Sequence, residues 1–133
     1  MVDESVIDDP LATHPIGLVG ADWDANILTL ELSQPVTEKW VSALINMGSY
    51  EAVWGKGPDL FRFRGNKAVI SADPDEVQPI IDHFKEWLPR ATARYRGMLR
   101  EEAAERERAE QERIRQQRLL EEQRLRVLRS IKI

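Results

Sequence analysis

The sequence contains no cysteine and only two histidines among 133 residues. The lack of cysteine excludes disulfides and thiolate metal sites. His14 and His83 have no second histidine or carboxylate at ligand spacing, and no serine lies in a turn typical of a nucleophile. We therefore predict a non-enzymatic protein with no catalytic residues, no metal site and no cofactor.

Long apolar runs are also missing. No window approaches 18 uncharged apolar residues, so we expect no membrane-spanning helix. The N-terminus is acidic and has neither the basic region nor the apolar core of a signal peptide. These absences lead us to expect a cytoplasmic protein.

Glycine and proline are absent after Gly97, so nothing interrupts a helix in the C-terminal part of the chain. We predict a long charged helical arm over residues 90–133, in which residues 100–118 are Arg, Glu, Gln and Ala apart from Ile114. A helix of about 40 residues is about 60 Å long, so the arm must protrude from a small domain. Pro89 is expected to kink or break the helix where the arm begins.

Charge is distributed unevenly between the two parts of the chain. Residues 1–89 hold 6 Lys and Arg against 15 Asp and Glu, whereas residues 90–133 hold 13 against 8. The first part is therefore acidic and the arm is basic. A basic arm can pair with the acidic domain of a neighbour or with a polyanion.

Residues 15–89 are predicted to form a small domain behind a flexible acidic leader, residues 1–14. Alternating residues on each side of Asp24-Ala25-Asn26 predict a first hairpin, with Asp22 facing Ile27. Leu60–Arg64 and Lys67–Ser71 predict a second hairpin around a two-residue Gly65-Asn66 turn. A short strand is expected within Ser49–Asp59.

Two amphipathic helices are predicted beside these strands. The first should start at Ser33-Gln34-Pro35 and carry Trp40 and Leu44 on its buried side. The second should start at a capping box formed by Asp73 and Glu76. The fold class is therefore α+β: a small antiparallel sheet in ββα-ββ(β)α order, two packed helices and a long protruding charged C-terminal helix.

The arm carries sparse apolar residues that are candidates for binding a partner. An 11-residue spacing places Met98, Ala109, Leu120 and Ile131 in one row and Ala103, Ile114 and Leu125 in another, with Leu128 nearby. Such spacing keeps apolar rows nearly straight along a helix. We predict that the arm pairs with a second copy, and the alternatives are a different partner protein or a solitary solvated helix.

Two other surfaces are candidates. Arg62, Arg64 and Lys67 form a basic patch on one face of the second hairpin, which can bind phosphates or an acidic protein, or can protect a sheet edge while bridging to Glu31. Trp54 lies among glycines and is a candidate loop contact. The leading hypothesis is an assembly or adaptor protein that self-associates or binds a partner through its C-terminal helix; the alternative is a nucleic-acid-binding accessory protein.

Overall fold

An antiparallel four-stranded sheet organises the computed structural model of the chain, which describes residues 9–133. The helices and strands are α1 (Pro10–Thr13), β1 (Leu18–Asp24), β2 (Ile27–Leu32), α2 (Glu38–Ile45), β3 (Arg62–Arg64), β4 (Lys67–Ser71) and α3 (Val77–Ser130). The strand order is β1-β2-β4-β3, so the two hairpins join through β2 and β4. This architecture confirms the predicted α+β class with a long C-terminal helix.

The first hairpin turns more tightly than expected. Ala25 and Asn26 alone form the turn, with φ values of 48° and 63°, as a two-residue turn of this hand requires. Asp24 consequently extends the strand and faces Ile27. The predicted register, with Asp22 opposite Ile27, is therefore wrong by two residues, although the same face of β2 remains buried.

The second hairpin follows its prediction. Arg64 pairs with Lys67 and Phe63 with Ala68, around Gly65-Asn66. Gly65 has a φ of 58°, a conformation that glycine adopts without steric cost. The alternation of Arg and Phe places the charges on one face and the aromatic rings on the other.

Helix α2 begins later than expected. Thr37 is its N-cap, and the hydroxyl of Thr37 accepts a hydrogen bond from the Trp40 amide at 3.2 Å. Ser33, the expected cap, instead accepts a hydrogen bond from the Gly17 amide at 2.9 Å and so ties the chain before β1 to the end of β2. Trp40 and Leu44 are fully buried, as predicted.

The connection between α2 and β3 contains no strand over residues 49–57. Hydrogen bonds between side chains and backbone carbonyls instead tie this connection to the rest of the domain. The Trp87 indole donates to the Glu51 carbonyl at 2.9 Å. The Lys56 ammonium donates to the Ser71 carbonyl at 2.8 Å. The expected strand is wrong because these bonds hold the segment without a sheet partner.

Helix α3 follows the predicted capping box. The Asp73 amide donates to a Glu76 carboxylate oxygen at 2.9 Å, and the helix then continues through Pro89 to Ser130. The expected break at Pro89 is therefore wrong. Leu88 and Ala91 are buried on either side of the proline, so one core holds both parts of the helix.

The N-terminal residues that the structure describes are docked, which differs from the predicted leader. Leu11 and Ala12 are buried in the core. The Tyr95 hydroxyl donates to an Asp9 carboxylate oxygen at 2.7 Å, and the Arg96 guanidinium donates to the Ala12 carbonyl at 2.6 Å. The remainder of the predicted leader, residues 1–8, lies outside the described residues.

Candidate protein-interaction surface on the C-terminal helix

The last part of α3 stands clear of the rest of the described chain. Every residue from 105 to 130 is exposed, and we call this stretch the exposed segment. At 1.5 Å per residue its length is about 40 Å. The domain therefore covers α3 beyond the predicted boundary at residue 90, and the free part begins near residue 105.

Contacts at the base of the exposed segment fix it to the domain. Ala103 is only 7% exposed, and the Lys39 ammonium of α2 forms an ion pair with Glu102 at 2.6 Å. Tyr95, about two helical turns before Ala103, is buried against the start of α1. The exposed segment thus extends from a helix that is packed on both sides of Pro89 and anchored up to Ala103.

The predicted partner-binding residues fall into two groups, one that contacts the domain at this base and one that is exposed beyond it. Met98 is partly buried against the domain core and Ala103 is buried within the same chain, so both contact the domain. The remaining predicted residues are exposed: Ala109, Ile114, Leu120, Leu125, Leu128 and Ile131.

Most large apolar side chains of the exposed segment lie on one side. At about 100° per residue, all but one of the large apolar residues between 105 and 130 fall within about half of the helix circumference. We call this set the apolar face, and it comprises Ile114, Leu120, Leu125, Val127 and Leu128. Leu119 lies outside it. The apolar face continues the side of α3 that packs on the domain through Ile80, Phe84 and Tyr95.

Ion pairs within the helix support the exposed segment locally. Glu and Arg three residues apart pair repeatedly: Glu105–Arg108, Glu110–Arg113, Glu112–Arg115 and Glu121–Arg124. Opposite charges at this spacing are neighbours on a helix surface and stabilise the helix locally. A hydrogen bond from Arg113 holds the pKa of Glu110 below its usual value. These pairs favour a helix along the segment, and they leave its apolar residues uncovered.

Comparison of the chain with protein families, curated proteins and solved structures finds no match. The function must therefore be argued from the geometry of the chain itself. Within residues 9–133, no helix is both long enough and apolar enough to cross a bilayer. In the same part of the chain, no three side chains of the metal-ligating types form a cluster.

The predicted basic patch is present on the outer face of the sheet. Arg62 and Arg64 are exposed, whereas Lys67 lies 3.4 Å from Glu31 in an ion pair across the strands. Phe61 is buried, and Phe63 contacts the Trp40 ring with centroids 6.3 Å apart. The patch therefore has charge, but the hairpin's own aromatic rings do not lie beside it as a surface for base stacking.

A groove that sequence reasoning missed lies between α2 and the edge strand β3. It has a volume of about 430 Å³, and its apolar lining includes Val36, Val41, Ile45, Phe61 and Phe63. Only the packing of α2 across the second hairpin creates it. The alternation within each element gives no signal of it, because the groove depends on how separate elements pack.

The tryptophans differ sharply in exposure. Trp40 and Trp87 are fully buried, as expected for core residues. Trp54 is 95% exposed next to Gly55, whose φ is 71°. Its ring is therefore available to a partner.

Proposed function

We propose that this chain is a non-enzymatic assembly protein that self-associates through the apolar face of its C-terminal helix. The observation that carries the proposal is the exposed segment itself. It extends about 40 Å beyond the domain, and most of its large apolar residues lie on one side. Leu120 on that side is 63% exposed. Burying such side chains against a second helix removes apolar surface from water, at about 25 cal/mol per Å².

The charged character of the segment agrees with pairing between helices. Glu–Arg pairs hold the helix, while the charges that lie among the apolar residues of the interacting side can pair with a second helix. Pairing of the helices would then bring together the domains attached to their bases. The groove beside β3 offers that domain a further surface.

Two adjacent leucines provide a matched test. Leu120 lies on the apolar face and Leu119 does not, yet both are exposed in the single chain, at 63% and 50%. We expect Leu120→Ser to weaken self-association at least tenfold, since each pair of helices loses two buried leucines. Leu119→Ser should change it less than about threefold.

Sedimentation equilibrium of the full chain at micromolar concentration measures this difference. The two variants carry the same substitution at neighbouring positions, so a general loss of helix would affect both. A full chain that stays monomeric, or variants that behave alike, would contradict the proposed function.

Nucleic-acid binding is the second candidate, and the basic end of the helix favours it. Residues 113–133 contain seven Lys and Arg against two Glu. Several of these arginines already pair with Glu in the helix, which weakens the case. Electrophoretic mobility shift with DNA and RNA at low salt, where phosphate contacts are strongest, distinguishes this candidate. The cytoplasmic location expected from the sequence remains a prediction.

A further inference from the structure

We infer that the second helix is that of another copy, packed antiparallel with Gln117 of each chain on a two-fold axis. This inference rests on the proposed function and specifies its partner, orientation and register. In such a pair, residues at equal distances before and after Gln117 face each other. Three features of the exposed segment have this symmetry.

The first feature is the position of the apolar residues. Ala109, Ile114, Leu120 and Leu125 are spaced by five, six and five residues, which is symmetrical about Gln117. Antiparallel pairing therefore places Ile114 against Leu120 of the second copy. It also places Ala109 against Leu125, so that Ile114, Leu120 and Leu125 each meet an apolar side chain.

The second feature is an inversion of charge about the same residue. Glu110 and Arg124 are each seven residues from Gln117, and Arg113 and Glu121 are each four residues from it. Across an antiparallel pair, Glu110 therefore faces Arg124 and Arg113 faces Glu121. Parallel pairing in register would instead set each of these charges against the same residue of the second chain, and like charges repel.

The same inversion holds for the two ends of the exposed segment. Residues 105–112 contain four Glu and two Arg, whereas residues 122–129, which they face in this register, contain three Arg and one Glu. The net charges are −2 and +2. An antiparallel pair brings the acidic end of each segment beside the basic end of the other, and a parallel pair brings like ends together.

The third feature is the length of helix that the domain leaves free. The exposed segment, residues 105–130, has its midpoint between Gln117 and Arg118. Two such segments paired about Gln117 overlap along their whole length. The end of each helix then reaches the base of the other, where the domain begins at Ala103.

The base also has a surface for the incoming helix end. Glu102, Glu105, Arg106 and Ala109 line a shallow depression there. In the proposed register Leu125 of the second copy faces Ala109, and Leu128 faces Arg106. The aliphatic part of Arg106 can cover Leu128 while its charged end stays in water.

Gln117 itself lies near the middle of the interacting side, between the apolar rows. A polar residue at one central position of a helix pair fixes register and orientation, because any shift separates it from its hydrogen-bonding partner. The two Gln117 amides can bond to each other across the axis, since each has both donor and acceptor groups. A shifted register would bury them against apolar side chains.

Cysteine cross-linking tests the orientation, and the absence of native cysteine makes each introduced thiol unique. We expect Gln117→Cys to form a disulfide-linked dimer. Glu110→Cys mixed with Arg124→Cys should give the mixed dimer, whereas each variant alone should give little. Parallel helices in register would reverse this result, with each variant forming its own dimer.

A charge exchange in the full chain tests the register independently. Glu110→Arg places Arg against Arg124 twice in the dimer, and we expect about tenfold weaker association at low salt. Adding Arg124→Glu should restore association, because opposite charges again face each other across the pair. Rescue is expected although the double variant also loses the Glu110–Arg113 and Glu121–Arg124 pairs within each helix. Parallel pairing gives no such rescue.

The outcomes separate the inference from the proposed function. A dimer that cross-links 110 to 110, or one that cross-links at none of these positions, overturns the antiparallel register and leaves self-association standing. A monomer by sedimentation overturns both. The mixed 110–124 disulfide together with rescue by the charge exchange supports the inference.

Discussion

Tyr95 joins helix α3 to the start of α1 through one side chain. Its ring is buried on α3, and its hydroxyl donates to Asp9 at the start of α1. Burial, with the adjacent Asp9 carboxylate, raises the pKa of Tyr95 to about 12. The folded chain therefore holds this proton more tightly than the unfolded chain does.

This shift predicts a loss of stability at high pH. The contribution of Tyr95 should be complete below pH 10 and should disappear as pH rises from 10 towards 12, because the unfolded chain releases the proton first. Urea unfolding at several pH values would measure it. Tyr95→Phe should lower the free energy of unfolding by about 1 kcal/mol at pH 7, because a hydrogen bond is lost. It should also show a shallower decline above pH 10, and equal slopes would contradict the assignment.

Individual residues show which local signals could be read from the sequence. Gly65-Asn66 with alternating Phe and Arg specified a hairpin and its register, because turn chemistry and periodicity agreed. Ser33 misled the prediction of a cap because its hydroxyl bonds to Gly17, a partner 16 residues away. Side chains that serve distant backbone groups cannot be recognised from local pattern.

At the scale of elements, α3 is one helix with two environments along its length. Its existence was predictable because no glycine or proline follows Gly97. The extent of its domain-covered part was not, because burial of Ala103 and the Lys39–Glu102 pair depend on where α2 packs. For this reason the sequence did not indicate that Met98 and Ala103, two of the predicted partner-binding residues, contact the domain.

Truncation distinguishes the two environments. Removing residues 105–133 should change the stability of the domain by no more than about 0.5 kcal/mol, because those side chains touch solvent. Removing residues 98–133 should cost about 2–4 kcal/mol more, because Met98, Leu99 and Ala103 pack against the core.

Chemical denaturation of the two fragments gives this difference directly. Both fragments lack the exposed segment, so self-association does not enter the comparison. Equal stabilities would show that residues 98–104 contribute nothing to the domain.

At the scale of the whole molecule, orientation of the helices sets the overall shape. Antiparallel pairing places two domains at opposite ends of a bundle of about 40 Å, and the assembly should be about 100 Å long. Parallel pairing places both domains at one end and gives about 70 Å. Small-angle scattering should therefore give a pair-distance distribution with a second maximum from the separated domains. A single maximum and the shorter length would contradict the arrangement.

The position of the domain on α3 also limits how many chains can join. The domain occupies the same side of the helix as the apolar face, so the helix of a second chain can lie along that side only as far as Ala103. After two chains have paired, each stretch of that side is covered either by its own domain or by the other subunit. In the proposed pair a third chain would find no vacant stretch, so we expect growth to end at a closed pair instead of continuing into a filament.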